Sequence, residues 1–118
     1  MPRELSLADI FQIGYYWETK ILLTAVSLDL FSSLQGTSRP VTDIAQEQGF
    51  NPRVLELVMN ALVAMRVLQK DDHGYRNSPI AEKHLVKSSP DYVGHLLELH
   101  DSEWDHWGKL GEAVRELR

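Results

Sequence analysis

Histidines and carboxylates crowd the last quarter of the chain, where His95, His100 and His106 run among Asp101, Glu103 and Asp105. Such a group invites a metal reading. Two ligands on one helix must be three or four residues apart to face the same way, and these histidines are five and six apart. The acidic residues are better read as carboxylates placed at a helix start, where the macrodipole favours negative charge. No metal site is expected. A serine hydrolase would need a nucleophile elbow of the Gly-x-Ser-x-Gly kind, and a nucleotide site a glycine-rich loop; neither pattern occurs. No catalytic residue is therefore assigned. The aromatic residues offer more. Tyr15, Tyr16 and Trp17 stand near one end and Trp104 and Trp107 near the other. Rings at such spacings usually fill a core, but they also wall pockets for flat ligands. Tyr16, Trp17, His100, Trp104 and Trp107 are the candidate substrate-binding residues, with His100 and His106 able to hydrogen-bond a ligand.

Those residues must be positioned by a small protein. The 118 residues suit one domain with a modest core. A net charge of −5 gathers neither nucleic acid nor anionic lipid. Cysteine is absent, which rules out disulfide scaffolding and thiolate metal sites and fits a reducing cytoplasm. The start, Met1-Pro2-Arg3-Glu4, lacks the layout of a signal peptide, and no apolar run is long enough to span a membrane.

The centre of the chain, residues 41–78, carries the clearest local signals. Val41 to Gln48 reads as a short helix with Thr42 as N-cap and Gly49 as a left-handed stop. Asn51 caps a second helix with Pro52 at its first position, running through Arg53 to Met65. Val67–Lys70 and Tyr75–Ser78 then flank an Asp71-Asp72-His73-Gly74 turn and predict a β-hairpin. Helix, turn, helix and hairpin is the order of a winged helix, whose commonest use is to read DNA. The residues argue against that use. From Val54 to Met65 only Glu56 and Asn60 interrupt an apolar helix, which predicts burial on nearly all sides. The hairpin tip would also bring Asp71 and Asp72 to phosphate.

Residues 1–35 read as the dimerisation helices, and Leu5 to Leu34 within them is the longest apolar region. Ser6 and Asp9 suggest a capping box, and Gly14 bends or splits the helix that follows. Phe11, Tyr15, Leu22, Val26 and Leu30 mark one stripe, while Ile10, Trp17, Ile21 and Leu28 fall on other faces. A domain this small has too little interior to surround such a helix, so a second copy is expected to cover it in a two-fold dimer. Residues 79–118 read as three further helices: a short one begun by Pro79, Asp91 to His100, and a last one capped by Ser102. That last helix carries Trp104, Trp107, Leu110, Val114 and Leu117 as its stripe.

Five segments in register also resemble a known family. They are Ala25-Val26-Ser27-Leu28-Asp29-Leu30-Phe31, Val41-Thr42-Asp43-Ile44-Ala45, Leu55 to Leu68, Tyr75-Arg76-Asn77-Ser78, and Trp104 through Arg115. Together they resemble the N-terminal dimerisation domain of S-adenosylmethionine-dependent O-methyltransferases, the group that includes plant phenolic, acetylserotonin and bacterial polyketide enzymes. Ser27 and Asp29 stand where that family usually has Glu and Gly, which bears on how the helix ends there.

The resemblance implies a mainly α fold, with a winged-helix-like core, a small β-hairpin and flanking dimerisation helices that interlock two subunits. It implies aromatic residues that help close a pocket for a small aromatic or polyketide-like substrate. S-adenosylmethionine and the catalytic base would belong to a following domain, expected beyond Arg118, so no cofactor is assigned to these residues. The reading is thus a homodimerisation and substrate-pocket module. The alternatives are a winged-helix DNA-binding transcription regulator and a free-standing small-molecule sensor.

Overall fold

The computed structural model describes residues 3–116. Met1, Pro2 and Leu117, the last of these expected on the C-terminal stripe, lie outside the described residues. The chain is mainly helical with one small antiparallel hairpin: α1 (Leu7–Ile13), α2 (Tyr16–Ser27), α3 (Leu30–Ser33), α4 (Val41–Gln48), α5 (Pro52–Ala64), β1 (Leu68–Asp71), β2 (Gly74–Asn77), α6 (Pro79–His84), α7 (Gly94–Ser102), α8 (Trp104–Trp107) and α9 (Leu110–Glu116).

Short-range chemistry sets most of these boundaries. Ser6 Oγ accepts from the Asp9 amide at 3.2 Å while the Asp9 carboxylate accepts from the Ser6 amide at 2.9 Å, a complete capping box on α1. These bonds, with the Arg3 guanidinium, hold the Asp9 carboxyl below its ordinary value. Asn51 Oδ1 takes the Arg53 and Val54 amides, and Ser78 Oγ takes that of Ala81, each just before a proline at the helix start. Gly49, at φ +76°, closes α4. The hairpin pairs Leu68 with Asn77 and Asp71 with Gly74, leaving Asp72 and His73 as the turn.

Other boundaries differ from expectation. Thr42 does not cap α4. The N-cap is Pro40, because Arg39 exchanges two backbone hydrogen bonds with Tyr75, both 2.9 Å, and that bridge fixes where the helix can begin. The long N-terminal helix breaks twice, at Gly14-Tyr15 as expected and again at Asp29. Asp29 takes φ 54°, a left-handed conformation that suits glycine better than any other residue. Asp91 to Val93 are not helical, and α7 starts at Gly94, after the Val93 amide donates to the His84 carbonyl at 2.8 Å. Ser102 closes α7 instead of capping the next helix; its Oγ donates to the Leu99 carbonyl at 2.7 Å. The last helix is two pieces, α8 and α9, separated at Gly108-Lys109.

One core draws on every stretch from α2 to the end of α6. Phe31, Leu30, Leu34, Ile44, Met59 and Leu62 are fully enclosed, joined by Val26, Leu68, Tyr75, Ala81 and Val86. Burying a side chain of this kind is worth about 1.5–3 kcal/mol. Asn77 locks the core from within. Its Nδ2 donates to the Phe31 carbonyl and to Glu82 Oε1, both at 2.9 Å, and Glu82 also accepts the Gly36 amide.

The expectation that α5 is buried on nearly all sides fails within the single chain. Leu55, Met59 and Leu62 are buried, a stripe one residue wide, while Val54 and Leu57 are 55% and 65% exposed. Their outer face is left uncovered among the described residues. The two ends of the molecule are more open still: α1, α8 and α9 contain no buried residue. The radius of gyration is accordingly 17.1 Å, against about 13–14 Å for a compact chain of this length.

Candidate functional site

The first two helices meet at a sharp joint. Gly14 donates its amide to Phe11 at 3.0 Å, ending α1, and Tyr16 starts α2 one residue after Tyr15. That turn groups three rings. Trp17 lies 5.0 Å from Tyr15 in a tilted pair and 5.5 Å from Tyr16 edge-to-face. All three are at least 40% exposed, so they form an aromatic surface and not a core cluster.

Trp104 reaches the same helix from the other end of the chain. The Lys20 ammonium sits 5.0 Å above the Trp104 ring and makes an ion pair with Asp101 at 3.1 Å. Lys20 is one turn along α2 from Trp17, so this cation adds a polar tie to the packing of α7 on α2, where Ile21, Leu22 and Leu97 join the core. An ammonium between a ring face and a carboxylate gains from both. Sequence reasoning missed Lys20 altogether. Its only trace is a lone basic residue opening the apolar run Ile21-Leu22-Leu23, and its partners are more than 80 residues away.

The candidate residues therefore separate into two groups. Tyr16, Trp17 and Trp104 gather around the first half of α2. Trp107 points away, 66% exposed, and walls a shallow groove with Glu103, His106, Lys109, Leu110 and Ala113. His100 is exposed on the last turn of α7. Among the described residues, no three histidine, aspartate or glutamate side chains come together in a way that could hold a metal ion.

A second concavity escaped the sequence reading. It is an apolar groove of about 340 Å³ between the C-terminal half of α2 and the start of α5, lined by Thr24, Leu28, Phe50, Val54, Leu55 and Val58. No charged side chain among the described residues lines it.

The hairpin does not form a DNA-reading surface. Its tip is acidic, and the Asp71 carboxylate accepts from Ser38 Oγ at 2.5 Å and from the His73 amide at 2.8 Å, which holds its carboxyl below the ordinary value. The outer face of α5 presents Val54 and Leu57 where a recognition helix would carry donors for base edges. Nor do these residues fit S-adenosylmethionine. Among the described residues the strands form a two-stranded antiparallel sheet joined by the single bridge from Arg39 to Tyr75, and Gly36, Gly49 and Gly74 each take a positive φ in a turn or strand start. A dinucleotide-type site needs a parallel sheet with a glycine-rich strand-to-helix loop.

Comparison with known proteins gives a consistent result. The family model for the O-methyltransferase dimerisation domain matches residues 11–87. The tetracenomycin polyketide synthesis 8-O-methyl transferase TcmO of Streptomyces glaucescens is 36% identical over 110 residues, covering 91% of this chain and 32% of that protein. The S-adenosyl-L-methionine-dependent methyl transferase PigF of a Serratia strain is 32% identical over 104 residues, covering 87% of this chain and 30% of its own length. The structure of PigF with SAH superposes with a TM-score of 0.83, covering 95% of this chain and 34% of PigF. An O-methyltransferase family protein from Burkholderia thailandensis superposes with a TM-score of 0.84 at 29% identity, covering 98% of this chain and 35% of that one. The chain thus spans about a third of the length of the curated relatives it matches. From helix order to hairpin, and across most of its sequence, the chain belongs to the O-methyltransferase dimerisation-domain family.

Proposed function

We propose that this chain is the homodimerisation and substrate-pocket module of a cytoplasmic S-adenosylmethionine-dependent O-methyltransferase. Its winged-helix-like centre serves as packing surface in place of a DNA reader. One observation carries the dimer: the apolar faces of α1 and α5, including Ile10, Phe11, Val54 and Leu57, are 48–65% exposed in a chain much wider than a compact domain. Exposed apolar faces of that kind mark an interaction site, and a two-fold axis lets a second copy cover both faces at once.

The pocket role rests on the aromatic joint. Tyr16, Trp17 and Trp104 offer flat faces suited to a small aromatic or polyketide-like acceptor, and exposed Trp107 and His100 on α8 and α7 are further candidates. TcmO, by its name, acts in polyketide synthesis. Methyl donor and catalytic base would be supplied by another part of the parent protein.

Light scattering over a concentration series tests the dimer, with the expected mass twice that of the 13.5 kDa chain. Leu57→Asp should leave the single chain folded, since Leu57 is exposed, and should weaken association at least tenfold. A monomeric wild type would overturn the reading. For the pocket, quenching of tryptophan fluorescence by a planar phenol should be lost in Trp17→Ala; unchanged quenching would remove Trp17 from it.

A further inference from the structure

We infer that the cleft between the hairpin, α6 and the loop after α3 is a site for a free α-amino acid, its ammonium on Glu82 and its carboxylate on Arg76. The inference goes beyond the proposed function. One copy of the chain supplies every wall of the cleft, so the site does not depend on a dimer.

Hydrogen bonding singles out this cleft. Asn77 lines it and is only 5% exposed. Its Nδ2 donates to the Phe31 carbonyl and to Glu82 Oε1, both at 2.9 Å, and the reverse orientation would set an oxygen against two acceptors. The amide is therefore fixed. Its Oδ1 has no partner and is the one such buried side-chain atom among the described residues. Buried acceptors are nearly always paired, so this wall calls for a donor that the chain does not supply.

Charge singles out the same place. The Glu82 carboxylate accepts from Asn77 Nδ2 and, at 3.2 Å on Oε2, from the Gly36 amide. No cation stands within ion-pair distance of it among the described residues. Arg76, cross-strand from Gln69, likewise has no carboxylate partner among them. Both charges line the cleft without pairing to each other. A molecule with the opposite charges at its own two ends matches that pattern. An ammonium has three donors, enough for Glu82 and Asn77 Oδ1 together, and a carboxylate fits the guanidinium fork. A metal cation would meet the like charge of Arg76, and a simple anion that of Glu82.

Size narrows the class. The cleft holds about 220 Å³. That is far more than one water needs and less than the about 300–1,000 Å³ of pockets for drug-sized ligands. Leu34 and Pro79 line it beside the charges and leave an apolar place for a short side chain.

Amide NMR of the 15N-labelled chain titrated with L-alanine tests the site. The expected result is saturable shifts at Gly36, Thr37 and the Asn77 side-chain amide, half-complete at about 1 mM or below. Alaninamide, which lacks the carboxylate, and N-acetylalanine, which lacks the ammonium, should each bind about tenfold more weakly. Arg76→Gln should also weaken alanine about tenfold and leave it no better than alaninamide. Arg76 is exposed, so the fold is not at risk. An absence of shifts at these groups overturns the site. Equal binding of alaninamide or N-acetylalanine, the same shifts with sodium chloride alone, or unchanged alanine binding in Arg76→Gln overturns the amino-acid assignment.

Discussion

The region from α2 to α6 and the helices outside it, built from similar residues, meet opposite fates. Phe31 is fully enclosed and Phe11, twenty residues earlier, is 58% exposed; Leu30 is enclosed and Leu7 is 68% exposed. Hydrophobicity alone does not decide which is inside. The enclosed residues sit where α2, α3, α4 and α5 close on the hairpin, and the exposed ones sit on helices with no neighbour to close against. A side chain's worth to stability is set by what its segment can reach. The same apolar content is enclosed in one region and left exposed in the other.

That contrast can be broken by substitution, most forcefully at the centre. Phe31→Ala should cost about 3–5 kcal/mol, enough to unfold a domain of this size, whereas Phe11→Ala should leave the urea midpoint of a dilute, monomeric sample unmoved. Equal losses at the two sites would abolish the distinction. Asn77→Asp comes next. It replaces the Nδ2 donor between the Phe31 carbonyl and Glu82 with a second buried carboxylate, and about 2–3 kcal/mol should be lost at neutral pH. The loss should shrink in acid as a carboxyl takes up a proton.

Two smaller effects sharpen the comparison. Asp29→Gly relieves a left-handed residue at the junction of α2 and α3 and should raise stability by up to about 1 kcal/mol. Ser6→Ala removes half of the α1 capping box. It should reduce α1 helicity by the equivalent of about 1 kcal/mol and show in circular dichroism, with global unfolding of a dilute sample unchanged.

What could be read in advance follows the range of the interactions. The caps at Ser6 and Asn51, the stop at Gly49, the helix opened by Pro79 and the hairpin rest on nearby residues, and the structure has each of them. The misassigned start of α4 depends on Tyr75, 36 residues from Arg39, and no local pattern announces that bridge. Asn77, whose partner Phe31 is 46 residues away, was unmarked for the same reason. In the candidate site, the aromatic residues stood out by type, but their grouping depended on Lys20 and Asp101, 81 residues apart. The one-sided burial of α5 was hidden for another cause. A helix apolar on most faces looks alike in sequence whether its cover comes from its own chain or from a partner.

The bridge between Arg39 and Tyr75 also changes what the hairpin is. An ideal Cβ on Gly74 would stand 2.2 Å from the Arg39 carbonyl oxygen, so the loop before α4 presses directly on the strand. Ser38 grips the Asp71 side chain from the same loop, and Lys70 lies 5.1 Å over the Tyr75 ring. Mechanically the hairpin acts as a rivet. It is fastened near its tip, at Asp71 and Tyr75, to the segment that starts α4. Tolerance to sequence drift should accordingly be poor at Gly74, although it sits in a surface turn. A change there would be transmitted as a displaced first turn of α4, and so into the wall of the core.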